Sequence, residues 1–307
     1  MDFATRQKKF WKQVKKERML LVFLSIPLAF LILFHYVPIY GVLIAFKNYR
    51  YIDGIIASPW NDFAHFKFML KDRLFIRALR NTLTISLLRI FLTFPLPIIF
   101  ALLLNEIYSK PIKRIVQTIT YLPHFMSWII IAALVNQVLD PKYGLLNAIR
   151  NHLGMESIYY QGRKNLFIPI LLIAQLWQSV GWSAIIYLAS MSSVDPELYE
   201  SAELDGANRL SKALNITIPS ITPVIIIQFI LSFSSILNGG FDAVFNLSNN
   251  LVMETADIID TYSYRAGLQE GRYSYTTAIG LFKNVIGAGM VLLVNAVARK
   301  TSDYALW

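Results

Sequence analysis

The chain is 307 residues long, 55% hydrophobic and 16% charged, with a mean hydropathy of +0.48, which is too apolar for an ordinary soluble domain and leaves room for several membrane spans. It contains no cysteine, which excludes a disulfide framework and any cysteine-based metal or redox centre. The net charge of +10 does not point to nucleic acid, because seven of the 29 Lys and Arg lie in RQKKFWKQVKKER ahead of the first apolar run, where they suit an anionic inner leaflet.

In chain order, residues 1–18 read as a basic cytoplasmic segment and 19–307 as a single membrane domain. The run MLLVFLSIPLAFLILFHYVPIYGVLIAF has 28 residues and no small-residue cleavage site, so it reads as a retained span, tilted or kinked by Pro27, Pro38 and Gly41. Segment 47–80 follows, and within it DFAHFKFMLKDRLFIRAL mixes apolar and basic residues at helical spacing, as an amphipathic helix at the interface does. Five further runs are long enough to span, at 81–104, 115–139, 166–192, 221–246 and 277–298. Six spans put both termini on one side. The N-terminal cluster, with Arg299 and Lys300, places that side in the cytoplasm. Segments 140–165 and 247–276 are then external loops or short helices.

Polar residues within the spans mark candidate functional faces. Arg89 and Lys283 are the basic ones, and Lys283 is expected to pair with Asp242 or to snorkel outward. His124 follows Pro123 and marks a kink, while Trp128 and Trp182 lie too deep for an interfacial aromatic belt. Gln175, Gln178 and Trp182 share an arc of about 60° on the fourth span, and Gln228, Ser232, Ser235, Gly239 and Asp242 an arc of about 80° on the fifth. Amides that bind hydroxyls and an indole that stacks on a pyranose make these faces, with Asn238, a candidate sugar path. The same residues also suit hydrogen bonds between packed helices. Around Asn238, the sequence NGGFDAVF has a glycine pair able to loosen the helix and expose carbonyls.

The longest cytoplasmic connection, 193–220, contains DPELYESAELDGANRLSKALNITIP. Asp195 is placed to cap a helix whose first residue is Pro196, and Gly206 to end it. A second short helix is expected after it, with Pro219 and Pro223 leading into the next span. Acids beside an anionic leaflet are repelled, so a protein docking surface fits this loop better than a membrane-lying connector. Small residues allow close approach there, and Glu200 and Asp205 offer partners to an arginine or a capped helix.

Glu200, Ser201, Ala202, Gly206, Ile216, Ile218 and Pro219 keep the spacing of the cytoplasmic signature of ABC importer permeases, with Ser201 in place of an alanine and Ile218 in place of a leucine. Segments such as YVPIYGVLIAFKNY, FPLPIIFALLLNE, VQTITYLPHFMSW and ARKTSDYALW resemble carbohydrate-uptake permeases of the maltose-transporter type, in the branch for oligosaccharides and polysaccharide fragments. The resemblance implies an all-α fold of six transmembrane helices in the bacterial cytoplasmic (inner) membrane. It also implies a coupling helix near 196–206 that enters a cleft of a cytoplasmic ATPase, with Glu200, Ser201, Ala202, Asp205 and Gly206 as coupling residues. The implied partners are a second, related permease, two ATPase copies and an extracellular or periplasmic sugar-binding protein.

The chain has no G-x-x-x-x-G-K-[ST] loop, no H-E-x-x-H and no G-x-S-x-G, so neither a nucleotide site nor a catalytic or metal centre is expected on it, and ATP with Mg belongs to partner subunits. Two other readings are an ion-gradient-driven sugar carrier and a non-transporting scaffold. The first is weakened by Asp242 being the sole acid inside a predicted span.

Overall fold

The computed structural model describes residues 12, 14, 16–301 and 305. Much of the basic N-terminal cluster and most of the last six residues lie outside these. Among the described residues regular structure is helical, apart from isolated β-bridges joining Lys47 to Trp60 and Arg50 to Gly54. The principal helices are α1 (Arg18–Phe46), α2 (Arg73–Asn105), α3 (Lys110–Phe125), α4 (Trp128–Val138), α5 (Lys164–Met191), α6 (Pro196–Leu204), α7 (Arg209–Ser234), α8 (Phe241–Leu247), α9 (Ile259–Tyr264) and α10 (Tyr273–Lys300). Five of them, α1, α2, α5, α7 and α10, are long and apolar enough to cross a membrane, and α3 with α4 makes a sixth crossing if the bent pair is counted as one.

Four sequence expectations are corrected. The third span is not one helix: α3 and α4 meet at 106°, because Pro123 opens a 3₁₀ turn at Leu122–Phe125 and Ser127 caps a fresh helix through Ile130 N–H. The amphipathic stretch is not one helix: Ala64–Met69 forms a short helix of its own and the residues from Arg73 on belong to α2. Asp72 Oδ1 accepts Leu74 N–H at 3.0 Å and caps α2, which runs from Arg73 through the predicted start of the second span. The expected short helix after Gly206 is the beginning of α7 itself. The fifth span breaks, since α7 ends at Ser234 and α8 begins at Phe241.

Three long helices widen at the same place relative to a proline. Single π turns occupy Ile32–Tyr36, Arg89–Thr93 and Ala213–Thr217, closed by the N–H groups of Val37, Phe94 and Ile218. Pro38, Pro95 and Pro219 come next in the chain. A proline inside an α-helix brings its ring against the carbonyl four residues back and has no N–H to bond it. A wide turn just before the proline moves that carbonyl aside while keeping the neighbouring carbonyls bonded.

The chain packs as two compact units, Met1–Lys67 with Tyr273–Leu281, and Phe68–Arg272 with Phe282–Trp307. In the first, the buried Lys47 donates from Nζ to the carbonyls of Ile55 at 2.9 Å and Ile56 at 2.5 Å, and Tyr49 N–H donates to Ser274 Oγ at 2.9 Å. The second unit has two apolar clusters. One joins Ile85, Ala132, Phe167, Leu171, Val244 and Ile258, with Trp128 against it. The other joins Ala101, Ala184, Tyr187, Met191 and Ile221. On α2 and α5 these clusters lie toward opposite ends, which leaves a polar stretch between them.

Candidate functional site

That polar stretch is a cavity of about 550 Å³, walled by the middle of α2, the middle of α5 and the last turns of α7. Its size is that of a small-molecule site. From α5 come Gln175, Ser179, Trp182 and Ser183; from α7, Gln228, Ser232 and Ser235; from α2, Arg89 and Thr93. The serines bond back to their own helices: Ser179 Oγ donates to Gln175 O at 2.7 Å, Ser232 Oγ to Phe229 O at 2.6 Å and Ser235 Oγ to Ser232 O at 3.1 Å. With the hydroxyl protons so used, these oxygens are free to accept. Gln175 Oε1 is buried without a hydrogen-bond partner.

Trp182 lies parallel to His124, with ring centroids 4.5 Å apart and planes at 2°, and Phe125 meets it edge-on at 5.5 Å. The 3₁₀ turn at the α3–α4 bend thus holds one indole face, and Trp182 still contributes to the cavity wall. Gln178 does not line the cavity. Its Nε2 donates to His124 O at 3.4 Å and ties α5 to the same turn.

The end of α7 is where Arg89 is held. Its Nη2 donates to Asn238 O at 2.9 Å and Ser235 O at 3.4 Å, and Ser86 Oγ donates to Asn238 O at 3.4 Å. Past the end of α7 the Asn238 carbonyl has no backbone donor among the described residues, while Ser235 O also accepts Asn238 N–H at 2.9 Å. The chain then turns at Gly240, whose φ of +84° suits glycine and whose missing Cβ would stand 2.9 Å from Gln175 Nε2. α7 has ended at Ser234, before the glycine pair is reached, and the break removes Asp242 from the expected stripe, leaving it exposed in the first turn of α8. Asn238 lines a neighbouring recess of about 270 Å³ with Ser235, Lys283 and Asn284. Lys283 pairs with Asp260, not with Asp242.

Sequence reasoning therefore collected Gln175, Trp182, Gln228, Ser232 and Ser235 on what is one wall system, named Arg89 without placing it there, and left out Thr93, Ser179 and Ser183. Ser179 was findable, since it lies one helical turn after Gln175 on the same face. Arg89 had its own signal, a cation in the middle of an apolar run.

The loop between α5 and α7 has a second, separate geometry. Asp195 Oδ1 accepts Glu197 N–H at 3.0 Å and caps α6 with Pro196 in its first turn. At the other end Ala207 N–H donates to Ala202 O at 2.9 Å and Gly206 N–H to Glu203 O at 3.0 Å, a Schellman closure that needs the φ of +77° at Gly206. Glu200, Ser201, Asp205 and Gly206 are exposed and Ala202 half-buried, while Leu204 is 90% exposed. The helix is braced from below. Lys212 Nζ meets Glu203 Oε1 at 2.6 Å and Tyr199 Oη lies 3.0 Å from Thr217 Oγ1, while Arg209 Nε meets Glu106 at 3.6 Å and ties the start of α7 to the end of α2. The Lys212 ammonium holds the Glu203 carboxyl below its ordinary range.

Residues 93–303 match the family described as binding-protein-dependent transport system inner membrane component. The chain is 41% identical over 278 residues to the polygalacturonan/rhamnogalacturonan transport system permease protein YteP of Bacillus subtilis (strain 168), across 91% of this chain and 87% of that one. It is similar to a chain of a bacterial ABC transporter involved in the import of the acidic polysaccharide alginate, with 38% identity and a TM-score of 0.87 over 95% of this chain and 99% of that one. It matches equally well, with 38% identity and a TM-score of 0.87 over 96% and 99% of the two chains, a structure of bacterial alginate ABC transporter in complex with alginate pentasaccharide-bound periplasmic protein.

Proposed function

The chain belongs to the binding-protein-dependent transport system inner membrane components and is an all-helical permease subunit of an ABC importer, and from that premise we propose how it works. It passes an oligosaccharide or polysaccharide fragment through the cavity between α2, α5 and α7, and takes its energy through α6. Residues 19–307 act as one permease domain, with both termini cytoplasmic. A second, related permease completes the path, an external sugar-binding protein delivers the substrate, and two copies of an ATPase dock on the cytoplasmic loops. ATP is handled at the ATPase subunits, as in this family the permease has no ATPase activity of its own.

The observation that carries this reading is the continuity of α7. It begins at Arg209, directly after the capped α6, and ends at Ser234 beside the cavity. At 1.5 Å per residue such a helix reaches about 39 Å. A pull on α6, which is capped at both ends and tied to α7 by Lys212, is therefore delivered to Gln228, Ser232 and Ser235 along one helix. Closure of the ATPases draws the loops together and rocks these walls between inward-open and outward-open arrangements.

The experiment is Glu200→Arg in the purified transporter. The expected result is loss of substrate-stimulated ATP hydrolysis while the permease still copurifies with its partners. Full stimulation in this variant contradicts the role given to α6.

A further inference from the structure

We infer that the cavity selects sugars bearing a carboxylate, and that Arg89 is the residue that reads it. The inference rests on the permease reading and names its substrate class.

Arg89 sits near the middle of α2, where a cation is costly unless something compensates it. No carboxylate lies within ion-pairing distance of it among the described residues, and no acid lines the cavity. Its compensation is partial. Nη2 is fixed by Ser235 O, just past the end of α7, and by Asn238 O in the turn that follows, neutral carbonyl dipoles that do not cancel a full charge. Nε and Nη1 have no hydrogen-bond partner among the described residues. The guanidinium is thus held in place by one nitrogen and keeps a free donor edge and a surplus of positive charge.

The remaining polar wall has the complementary character. Ser179, Ser232 and Ser235 have spent their protons on their own helices, and Gln175 Oε1 is an unpaired acceptor. These atoms suit hydroxyl donors and do nothing for an anion. A uronate supplies both groups at once: hydroxyls for the serine and glutamine oxygens, and a planar carboxylate for the guanidinium fork. A neutral sugar would satisfy the acceptors and leave the charge of Arg89 uncompensated.

The test is direct binding of trigalacturonate and of its fully methyl-esterified form to the assembled transporter in detergent, without the binding protein, alongside uptake into proteoliposomes. The acid should bind about 10- to 100-fold tighter than the ester, the range expected of a hydrogen bond to a charged group. Added salt should weaken the acid and leave the ester unmoved. Arg89→Gln should bring the acid down to the ester's affinity, and Arg89→Lys should keep part of the difference. Equal binding of acid and ester by the unaltered complex overturns the inference. So does an equal loss of both in Arg89→Gln, which would mean that Arg89 holds the walls together or pairs with an acid of the second permease. Should Arg89→Gln fail to assemble, Arg89→Lys and the salt series decide. Binding of neither sugar by a complex that takes both up overturns this inference alone, whereas neither binding nor uptake of either overturns the oligosaccharide reading as well.

Discussion

Arg89 and Lys283 are two cations inside apolar helices, and they are stabilised in different ways. Lys283 has a full counter-charge in Asp260, both side chains being about a fifth exposed, while Arg89 has only carbonyl dipoles. Lys283→Met should therefore strand the Asp260 carboxylate and lower stability by about 3–5 kcal/mol, with much of the loss recovered when Asp260→Asn is added. Thermal unfolding of the detergent-solubilised complex measures this, and an unchanged midpoint in the single variant would refute the pairing. At Trp182, one indole face is already covered by His124. Trp182→Ala should raise the sugar concentration giving half-maximal uptake by about 2- to 10-fold if the indole also stacks on substrate; no change in uptake kinetics would leave it a packing residue. Residue type and helical spacing made Gln175, Trp182, Gln228, Ser232 and Ser235 legible in the sequence itself. Asp242 was not, because its predicted place assumed a helix unbroken through residues 235–240, whereas α7 stops at Ser234 and the chain turns again at Gly240 before α8 begins.

At the scale of elements, the helix termini written in polar residues were readable and the breaks written in apolar ones were not. Asp195, Pro196 and Gly206 define α6 by side-chain and backbone chemistry that acts locally. Prolines are less informative. Pro223 sits inside α7 without ending it, Pro219 follows a π turn, and Pro123 opens a sharp bend, although all three lie in apolar surroundings. What separates them is packing: the turn after Pro123 is held by Trp182 and Gln178 of α5, contacts that no local window contains. Two predictions belong here. Gly206→Val forces a β-branched residue into φ +77°, at a cost of about 1–2 kcal/mol. It should depress stimulated ATP hydrolysis far more than it depresses membrane insertion, and equal stimulation would show that the closure of α6 is immaterial. Pro95→Ala restores an N–H behind the π turn at Arg89–Thr93 and should let α2 regain regular α-helical winding. Spin-label distances across that turn should shift, and identical distances would mean that packing, not the proline, sets the turn.

For the whole molecule, the division of labour follows from what this chain has and what it leaves to others. It has a polar cavity between two apolar clusters and a long helix from that cavity to a capped, exposed helix. From Arg18 to Tyr40 every residue of α1 is exposed within this chain, a surface suited to lipid or to the proposed second permease. Five of the six expected crossings are single long helices, legible from hydropathy alone because burial in lipid demands about 20 apolar residues whatever the helix does inside; the other expected crossing is the bent pair α3 and α4. The side of the membrane rests on the N-terminal basic cluster. The central claim is that the energy enters through α6 from ATP, and not through an ion gradient acting on this chain. Its most direct test is accumulation of labelled oligosaccharide in proteoliposomes holding the complete transporter, with the binding protein on one side, ATP on the ATPase side and no ion gradient. The account predicts accumulation that an uncoupler leaves intact and that Glu200→Arg abolishes. Accumulation that proceeds without the ATPase, or that collapses with the uncoupler while ATP is present, would contradict it.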